Sequence, residues 1–189
     1  MIIYDLDGTL VDTKEDIARA ANFMLRSLQR PPMSTEAVAR CVGNGLHQLV
    51  VGCLGTEDHE RIEEGMRLYR SHYTEHLLDH TRLYPGAQEI LDYFQPSRSQ
   101  AVLTNKPTAY SRQILTALGV ERYVCELIGG DSDYPRKPDP SAVVSLMTRQ
   151  GVGRDEVLLV GDSPLDIETG RNAGVTTVGL THGFSHPHE

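Results

Sequence analysis

Short apolar runs rich in β-forming residues alternate along this chain with longer segments of helical periodicity. Most of the runs end in a polar or glycine-containing cluster, as buried strands do where they lead into a loop. Strands that alternate with helices form a parallel sheet covered on both faces, so the pattern predicts an α/β fold. The predicted strands are Ile2 to Tyr4, Ala101 to Leu103, Glu126 to Ile128, Val157 to Val160 and Thr177 to Leu180.

Two of the intervening segments are typical of crossover helices. "PTAYSRQILTALG" begins with a proline suited to the first turn, carries apolar residues three to four positions apart and ends in a glycine. "PSAVVSLMTRQG" repeats that plan. Ligands of such parallel sheets bind beyond the carboxyl ends of the strands, so the polar clusters mark the predicted site.

The interval between Thr13 and about Leu83 shows helical periodicity but no convincing strand, and we expect four helices there. The first begins at Thr13, because Thr13 and Asp16 have the spacing of a capping box. The pattern thus predicts a helical insertion over residues 14–83, placed to cover the end of the first strand, and an α/β core formed by residues 1–13 and 84–189. The other three helices are predicted over Thr35 to Val42, Leu46 to Leu54 and Ile62 to Leu77.

Acidic side chains directly follow two of the predicted strands. Asp5 and Asp7 share one side of an extended chain after the first strand, so their like charges repel. Asp162 and Asp166 follow the strand that ends at Val160. Carboxylates converging from different strands suit Mg²⁺, which prefers oxygen ligands and would remove the repulsion. The sequence therefore predicts that these four aspartates form a magnesium site.

A phosphoryl group also needs hydrogen-bond donors and positive charge, and the sequence offers both. The stretch "LTNKP" supplies the Thr104 hydroxyl and the Asn105 amide at a strand end, followed by a helix N-terminus. Lys137 in "RKPDP" supplies a cation. A phosphorylated substrate is thus compatible with the predicted site.

The composition limits the partners of the protein. Its 189 residues include 18 basic and 26 acidic ones, and the formal net charge of −8 argues against a nucleic-acid-binding surface. No apolar stretch has the length of a membrane span, and the first residues lack a secretory pattern, so we expect a cytoplasmic protein. Without CxxC spacing, the three cysteines predict neither a disulfide framework nor a zinc site. All are predicted to be buried small hydrophobes: Cys41, Cys53 and Cys125.

Four motifs in order resemble the signatures of the haloacid dehalogenase-like (HAD) hydrolase superfamily: "DLDGT", the strand-end "TN", the lysine of "RKPDP" and "GDSPLD". The longer strings "DLDGTLVDT", "VGNG", "YPG", "TNKP" and "GGDSDYPRKPDP" most resemble the phosphoglycolate phosphatase group. This resemblance implies a Rossmann-like parallel-sheet core with an inserted all-helical cap. It also implies a Mg²⁺-dependent phosphatase for a small phosphomonoester, with phosphoglycolate as the lead candidate.

The resemblance implies catalytic roles for three residues. Asp5 would be the nucleophile that forms an aspartyl phosphate. Asp7 would protonate the leaving alcohol and then take a proton from the hydrolytic water. Lys137 would neutralise charge between the nucleophile and the phosphate.

The same resemblance implies how the metal is held. Asp162 would bind Mg²⁺ together with Asp5 and the backbone carbonyl of Asp7, and Asp166 would orient the water shell of the metal.

Substrate contacts are implied for four further residues. Thr104 and Asn105 would hold phosphoryl oxygens, and Gly8 would allow a sharp turn that aims a backbone N–H at the phosphate. Asn44 in the "VGNG" loop of the cap is a candidate for substrate specificity.

Simpler explanations apply to single residues, and two other functions fit the sequence. An aspartate after a strand, such as Asp162 or Asp166, often only caps the next helix. A sugar-phosphate mutase of the same architecture would pass the phosphoryl group of Asp5 to a sugar instead of water. A response-regulator-like receiver module would also use a phosphoacceptor aspartate, but on a later strand and without a helical insertion. The sequence leaves open whether the protein is a monomer or a homodimer.

Overall fold

A central five-stranded parallel sheet organises residues 1–184, the part of the chain that the computed structural model describes. The strands in that part are β1 (Ile2–Tyr4), β2 (Val11–Asp12), β3 (Arg82–Leu83), β4 (Gln100–Leu103), β5 (Val124–Ile128), β6 (Leu158–Gly161) and β7 (Thr176–Gly179). The central sheet has the order β5-β4-β1-β6-β7, and every pairing in it is parallel. The predicted α/β fold class is confirmed.

Helices lie between the strands, as the alternating pattern predicts. They are α1 (Lys14–Ser27), α2 (Thr35–Ala39), α3 (Leu46–Leu54), α4 (His59–His76), α5 (Ala87–Phe94), α6 (Thr108–Ala117), α7 (Ser141–Gln150) and α8 (Pro164–Ala173). The two predicted crossover helices correspond to α6 and α7. Within residues 1–184, no helix combines the length and apolar character needed to cross a membrane.

The sheet has an apolar core on each face, because successive side chains of β1 point in opposite directions. Ile2 and Tyr4 belong to one core, which extends to the helices α1, α3 and α4, whereas Ile3 belongs to the other. β1 is buried along its whole length and lies in the middle of the sheet. Residues that follow β1 therefore emerge at the centre of the sheet edge.

The helices α1 to α4 occupy the interval between β2 and β3, where the sequence predicts an insertion. α1 packs mainly on α4 through small residues, and Ala20 and Ala21 are fully buried. Apolar residues at helical spacing line the buried face of α4: Ile62, Met66, Tyr69 and Tyr73. The boundaries of the insertion at residues 13 and 84 stay predictions.

The structure corrects several local expectations. The strands β2 and β3 form an antiparallel pair at the two ends of the helical interval, where no convincing strand was expected, because each is only two residues long. The helix predicted over Thr35 to Val42 ends at Ala39. Cys53 is buried, but Cys41 is half-buried and Cys125 is exposed on the edge strand β5, so burial was correctly predicted only for Cys53.

The capping box predicted for α1 is wrong. Thr13 makes no side-chain cap hydrogen bond, because its hydroxyl donates to a carboxylate oxygen of Asp7 instead. Asp16 does not reach back to the helix start either. Its carboxylate accepts from the backbone N–H groups of His80 and Thr81 and from the hydroxyl of Thr81.

Candidate active site

Strand register brings the predicted site residues together at the carboxyl edge of the sheet. Tyr4 of β1 lies opposite Val102 of β4 on one side and Val160 of β6 on the other. The residues that continue these strands therefore emerge side by side. They include Asp5, Thr104 and Asp162.

The ammonium of Lys137 joins two of the aspartates. Lys137 Nζ lies 2.9 Å from Asp5 Oδ1 and 2.6 Å from Asp166 Oδ1. Asp162 completes the group, since carboxylate oxygens of Asp5, Asp162 and Asp166 all lie within 4.8 Å of one another. The structure thus brings four sequence-predicted residues into one buried cluster, in which three carboxylates face one lysine.

Burial dominates the electrostatics of this cluster. Loss of solvent raises the pKa of Asp5, and the carboxylates of Asp166 and Asp162 raise it further, against the opposing effect of Lys137. Burial likewise raises the pKa of Asp162. For Lys137, burial acts to lower the pKa, but Asp166 and Asp5 outweigh it and the pKa is raised, so this lysine stays charged.

Asp5 keeps an unsatisfied oxygen in spite of its lysine. The contact between Lys137 Nζ and Asp5 Oδ1 lacks hydrogen-bond geometry, so Oδ1 has no hydrogen-bond partner within residues 1–184. Such an atom is costly to bury unless something else pairs with it. A buried group with excess negative charge, in which one carboxylate oxygen lacks a hydrogen bond, fits a divalent cation.

Asp162 is oriented by two hydrogen bonds. The hydroxyl of Thr9 donates to Oδ1 over 3.1 Å, and the backbone N–H of Phe184 donates to Oδ2 over 2.6 Å. Gly8 lies against the same carboxylate, because a Cβ at this position would come within 2.3 Å of Asp162 Oδ2. The segment after β7 therefore helps to fix a predicted metal ligand.

The sharp turn expected at Gly8 is present, whereas the backbone N–H that the turn would aim at a phosphate stays a prediction. The backbone of Gly8 has a φ of +87°, which favours glycine, as the predicted sharp turn requires. Its N–H, however, donates to the carbonyl of Val11 over 2.9 Å and is not available to a phosphate. Close approach to Asp162 and the turn itself explain this glycine.

Asp7 lies beside the cluster and is held from two directions. The hydroxyl of Thr13 donates to Asp7 Oδ1 over 2.7 Å. Lys106 Nζ lies 3.1 Å from Oδ1 and 3.0 Å from Oδ2 of the same carboxylate. Asp7 is thus separated from the three-carboxylate cluster and oriented by a hydroxyl and an ammonium.

The side chain of Asn105 is already engaged within the protein. Its amide donates to the carbonyls of Gly43 and Lys137, and its Oδ1 accepts from the Lys137 backbone N–H over 2.9 Å. A bond from Asn105 to a phosphoryl oxygen would therefore come from its backbone N–H. The side chain connects the β4 edge with the "VGNG" loop and with the lysine of the cluster.

Asp166 contacts both a helix start and the lysine of the cluster. Besides Lys137, its carboxylate accepts from the backbone N–H and the hydroxyl of Ser163 at the start of α8. It is fully buried. Asp166 therefore caps a helix, as the simpler explanation predicted, and also positions Lys137, while its predicted effect on metal-bound water stays a prediction.

A cavity of about 480 Å³ opens above these residues. Its floor includes Asp5, Asp7 and Thr104, and its walls come from the helical interval. Asn44 is exposed and lines this cavity, as a specificity residue would, although its role stays a prediction. Small molecules of a few non-hydrogen atoms fit such a volume.

Comparison with known proteins decides the family. The sequence model of the haloacid dehalogenase-like hydrolases matches residues 2–180. The chain belongs to this family. The resemblance to the HAD superfamily that the sequence motifs indicated is therefore confirmed.

Curated relatives and a solved structure agree with this assignment. The chain is 38% identical over 194 residues to a phosphoglycolate phosphatase of Pseudomonas putida, covering 98% of this chain and 71% of the relative. A phosphoglycolate phosphatase of Vibrio parahaemolyticus is 36% identical, with 98% and 85% coverage. The crystal structure of a predicted phosphoglycolate phosphatase from Haemophilus somnus superposes with a TM-score of 0.94 at 33% identity, covering 99% of this chain and 87% of that one.

Membership in the HAD family, together with these relatives, confirms the predicted enzyme class, a phosphoric monoester hydrolase. The receiver-like alternative does not fit the topology. Asp5 follows the first strand, and five helices separate it from the next strand of the central sheet.

Sequence reasoning missed several residues of this HAD site. Thr9 and Thr13 lie within or just after the quoted "DLDGT" motif, and Lys106 lies within "TNKP". Thr9 and Lys106 are adjacent to predicted residues, but only coordinates show that these side chains and that of Thr13 contact Asp162 or Asp7. Phe184 carried no comparable signal, because its backbone makes the contact.

Proposed function

We propose that this protein is a Mg²⁺-dependent phosphatase that hydrolyses a small phosphomonoester through an aspartyl phosphate, with phosphoglycolate as the lead substrate. One observation carries the proposal. Asp5, Asp162 and Asp166 converge within 4.8 Å around Lys137, and Asp7 stands beside them at the same cavity. Its relatives named phosphoglycolate phosphatase support the choice of substrate.

The three carboxylates suit a magnesium ion. Asp5 and Asp162 would hold it, together with the backbone carbonyl of Asp7, and the Asp5 carboxylate carries an oxygen without a hydrogen bond. When bound, the ion supplies positive charge to the phosphoryl oxygens and lowers the pKa of the carboxylates around it. Lys137 supplies further positive charge at the Asp5 carboxylate.

In the first half-reaction, a carboxylate oxygen of Asp5 attacks phosphorus and the ester P–O bond breaks. Asp7 gives its proton to the departing oxygen, so the alcohol leaves neutral. Thr13 and Lys106 fix the carboxylate of Asp7 for this transfer. Lys137 stabilises the charge that develops between Asp5 and the phosphoryl group.

In the second half-reaction, water attacks the phosphorus of the aspartyl phosphate. Asp7, now ionised, takes a proton from that water, and the carboxylate of Asp5 is released. Inorganic phosphate then leaves through the cavity mouth. Both half-reactions use the same two aspartates, so each turnover returns the site to its starting protonation.

A screen of phosphorylated metabolites with added Mg²⁺, ranked by kcat/KM, tests the substrate. Phosphoglycolate is expected at the head of the ranking, with release of inorganic phosphate and no requirement for a sugar bisphosphate. The Asp5→Asn variant serves as the blank for contaminating phosphatases. A hexose phosphate at the head, converted to its isomer only when a bisphosphate is added, would favour the mutase of the same architecture instead.

A further inference from the structure

Lys106 is a second buried lysine at the cavity, and orienting Asp7 uses only part of its hydrogen-bonding capacity. Its side chain is only 6% exposed. Two of its contacts go to the carboxylate of Asp7, at 3.0 and 3.1 Å. An ammonium has three N–H donors, so these two contacts leave one donor for another acceptor.

The ring of Tyr73 covers this ammonium from the helical interval. Lys106 Nζ lies 4.9 Å from the centroid of the Tyr73 ring, in cation–π range. The ring of Tyr110 meets Tyr73 edge-on, 5.3 Å between centroids, which fixes its orientation. Lys106 and Tyr73 both line the cavity.

The hydroxyl of Tyr73 is an unused donor in this wall. The residue is 1% exposed, and its oxygen is buried with no hydrogen-bond partner within residues 1–184. Burial of a hydroxyl without a partner costs free energy, and a ligand that accepts from it recovers that cost. A buried ammonium beside Asp7 is thus covered by the ring of a tyrosine whose buried hydroxyl has no hydrogen-bond partner within residues 1–184.

We propose that Lys106 and Tyr73 form the subsite for a carboxylate of the substrate, one carbon from the ester oxygen; this rests on the proposed phosphatase function. Asp7 donates its proton to the ester oxygen. A side chain that is hydrogen-bonded to Asp7, as Lys106 is, therefore lies next to the carbon substituent on that oxygen. In phosphoglycolate a single methylene separates the ester oxygen from the carboxylate. Lys106 is therefore placed to contact that carboxylate.

This subsite selects by charge and by distance. A neutral alkyl chain leaves the donors of Lys106 and Tyr73 unpaired, which disfavours its binding. A carboxylate several carbons away lies beyond the two groups. The expected substrate class is the short phosphorylated 2-hydroxy acid rather than the sugar phosphate.

Paired substrates separate a carboxylate subsite from a residue that only orients Asp7. Phosphoglycolate and ethyl phosphate share the ester chemistry but differ in the carboxylate. We expect Lys106→Met to lower kcat/KM for phosphoglycolate by on the order of 100-fold more than for ethyl phosphate, as for loss of one partner of a buried charge pair. Equal losses for both substrates would show that Lys106 acts only on Asp7, and the subsite would be refuted.

Two further variants keep the test informative if Lys106→Met folds poorly. Lys106→Arg retains the charge and is expected to recover part of the discrimination between the two substrates. Tyr73→Phe removes only the unpartnered hydroxyl, and we expect a loss of roughly tenfold for phosphoglycolate with a smaller loss for ethyl phosphate. Arg67→Met, on the exposed face of α4 beside Glu64, removes a positive charge outside the cavity and is the matched control.

Binding measurements distinguish failure of the subsite from failure of the proposed substrate. The probes are 3-phosphonopropionate, which replaces the ester oxygen of phosphoglycolate by a methylene, and neutral-tailed propylphosphonate. Calorimetry with Mg²⁺ is expected to show tighter binding of 3-phosphonopropionate to the wild type, and this preference should shrink in Lys106→Met. If phosphoglycolate is not hydrolysed but the wild type still prefers 3-phosphonopropionate to propylphosphonate, the carboxylate subsite stands and only the assignment of phosphoglycolate as substrate is wrong. Equal affinities in the wild type would overturn the subsite.

Discussion

Asp16 and Thr81 are joined by two hydrogen bonds of 2.8 Å, one from the backbone N–H of Thr81 and one from its hydroxyl. The backbone N–H of His80 donates to the same carboxylate at 2.9 and 3.1 Å. Asp16 lies at the start of α1, and Thr81 lies just before β3. This buried carboxylate therefore ties together the two ends of the helical interval, 65 residues apart in sequence.

Replacement of Asp16 by Ala is expected to destabilise the fold by about 3 kcal/mol. The variant leaves the N–H and the hydroxyl of the buried Thr81 without an acceptor, and each unpaired buried group costs about 1–3 kcal/mol. Urea unfolding, fitted with one m-value for the wild type and the variant, measures the change in the free energy of unfolding. Thr81→Val removes only the hydroxyl and should cost less than half as much. An Asp16→Ala protein as stable as the wild type would contradict this account of the connection.

The same residue shows where sequence reasoning succeeds and where it stops. The spacing of Thr13 and Asp16 correctly located the start of α1, because capping residues and helix starts are coupled locally. It did not show the partners of the two side chains, which come from Asp7 and from Thr81. Hydrogen bonds to distant segments depend on the tertiary fold and leave no periodic signal.

Some strands and site residues can likewise be predicted from sequence patterns, whereas others cannot. Buried strands such as β1 can be predicted from their apolar runs. The parallel pairing of β1 with β6 then places Asp5 and Asp162 at one edge of the sheet. The two-residue strands β2 and β3 are too short for any pattern. The subsite role of Lys106 was equally hidden, since a lysine beside a strand end is usually a solvated surface charge, and only its burial distinguishes it.

Asp5→Asn is expected to lower kcat by about 10⁴-fold or more, because an amide is a poor nucleophile for phosphorus. The fold should survive, since the amide keeps the shape of the carboxylate and removes one of three clustered negative charges. Phosphate release measures activity, and circular dichroism with thermal unfolding checks the fold. Asp155→Asn, an exposed aspartate after α7, is the matched control. Turnover at the wild-type rate would disprove the nucleophile assignment.

The effect of Asp7→Ala on kcat is expected to depend on the leaving group of the substrate. With an alkyl phosphate, loss of general acid catalysis should lower kcat by roughly 10²–10⁴-fold. With p-nitrophenyl phosphate, whose phenolate leaves without protonation, formation of the aspartyl phosphate should be much less affected, and hydrolysis of the intermediate should become the slow step. Rapid-quench measurement of a burst of p-nitrophenol checks this. An alkyl phosphate hydrolysed at the wild-type rate would rule out Asp7 as the acid.

Removal of divalent metal is expected to abolish turnover and to lower stability. An ion that binds only the folded state stabilises it by RT ln(1 + [Mg²⁺]/Kd), about 2.7 kcal/mol at 100 times Kd. Thermal unfolding with and without Mg²⁺ should therefore show an upward shift in Tm that depends on the ion concentration. Asp162→Asn should reduce this shift, because it removes a ligand from the cluster, whereas Asp155→Asn, at an exposed position after α7, should not. An undiminished Tm shift in Asp162→Asn would show that the metal binds elsewhere. Hydrolysis that persists in excess chelator would show that the reaction does not need the metal.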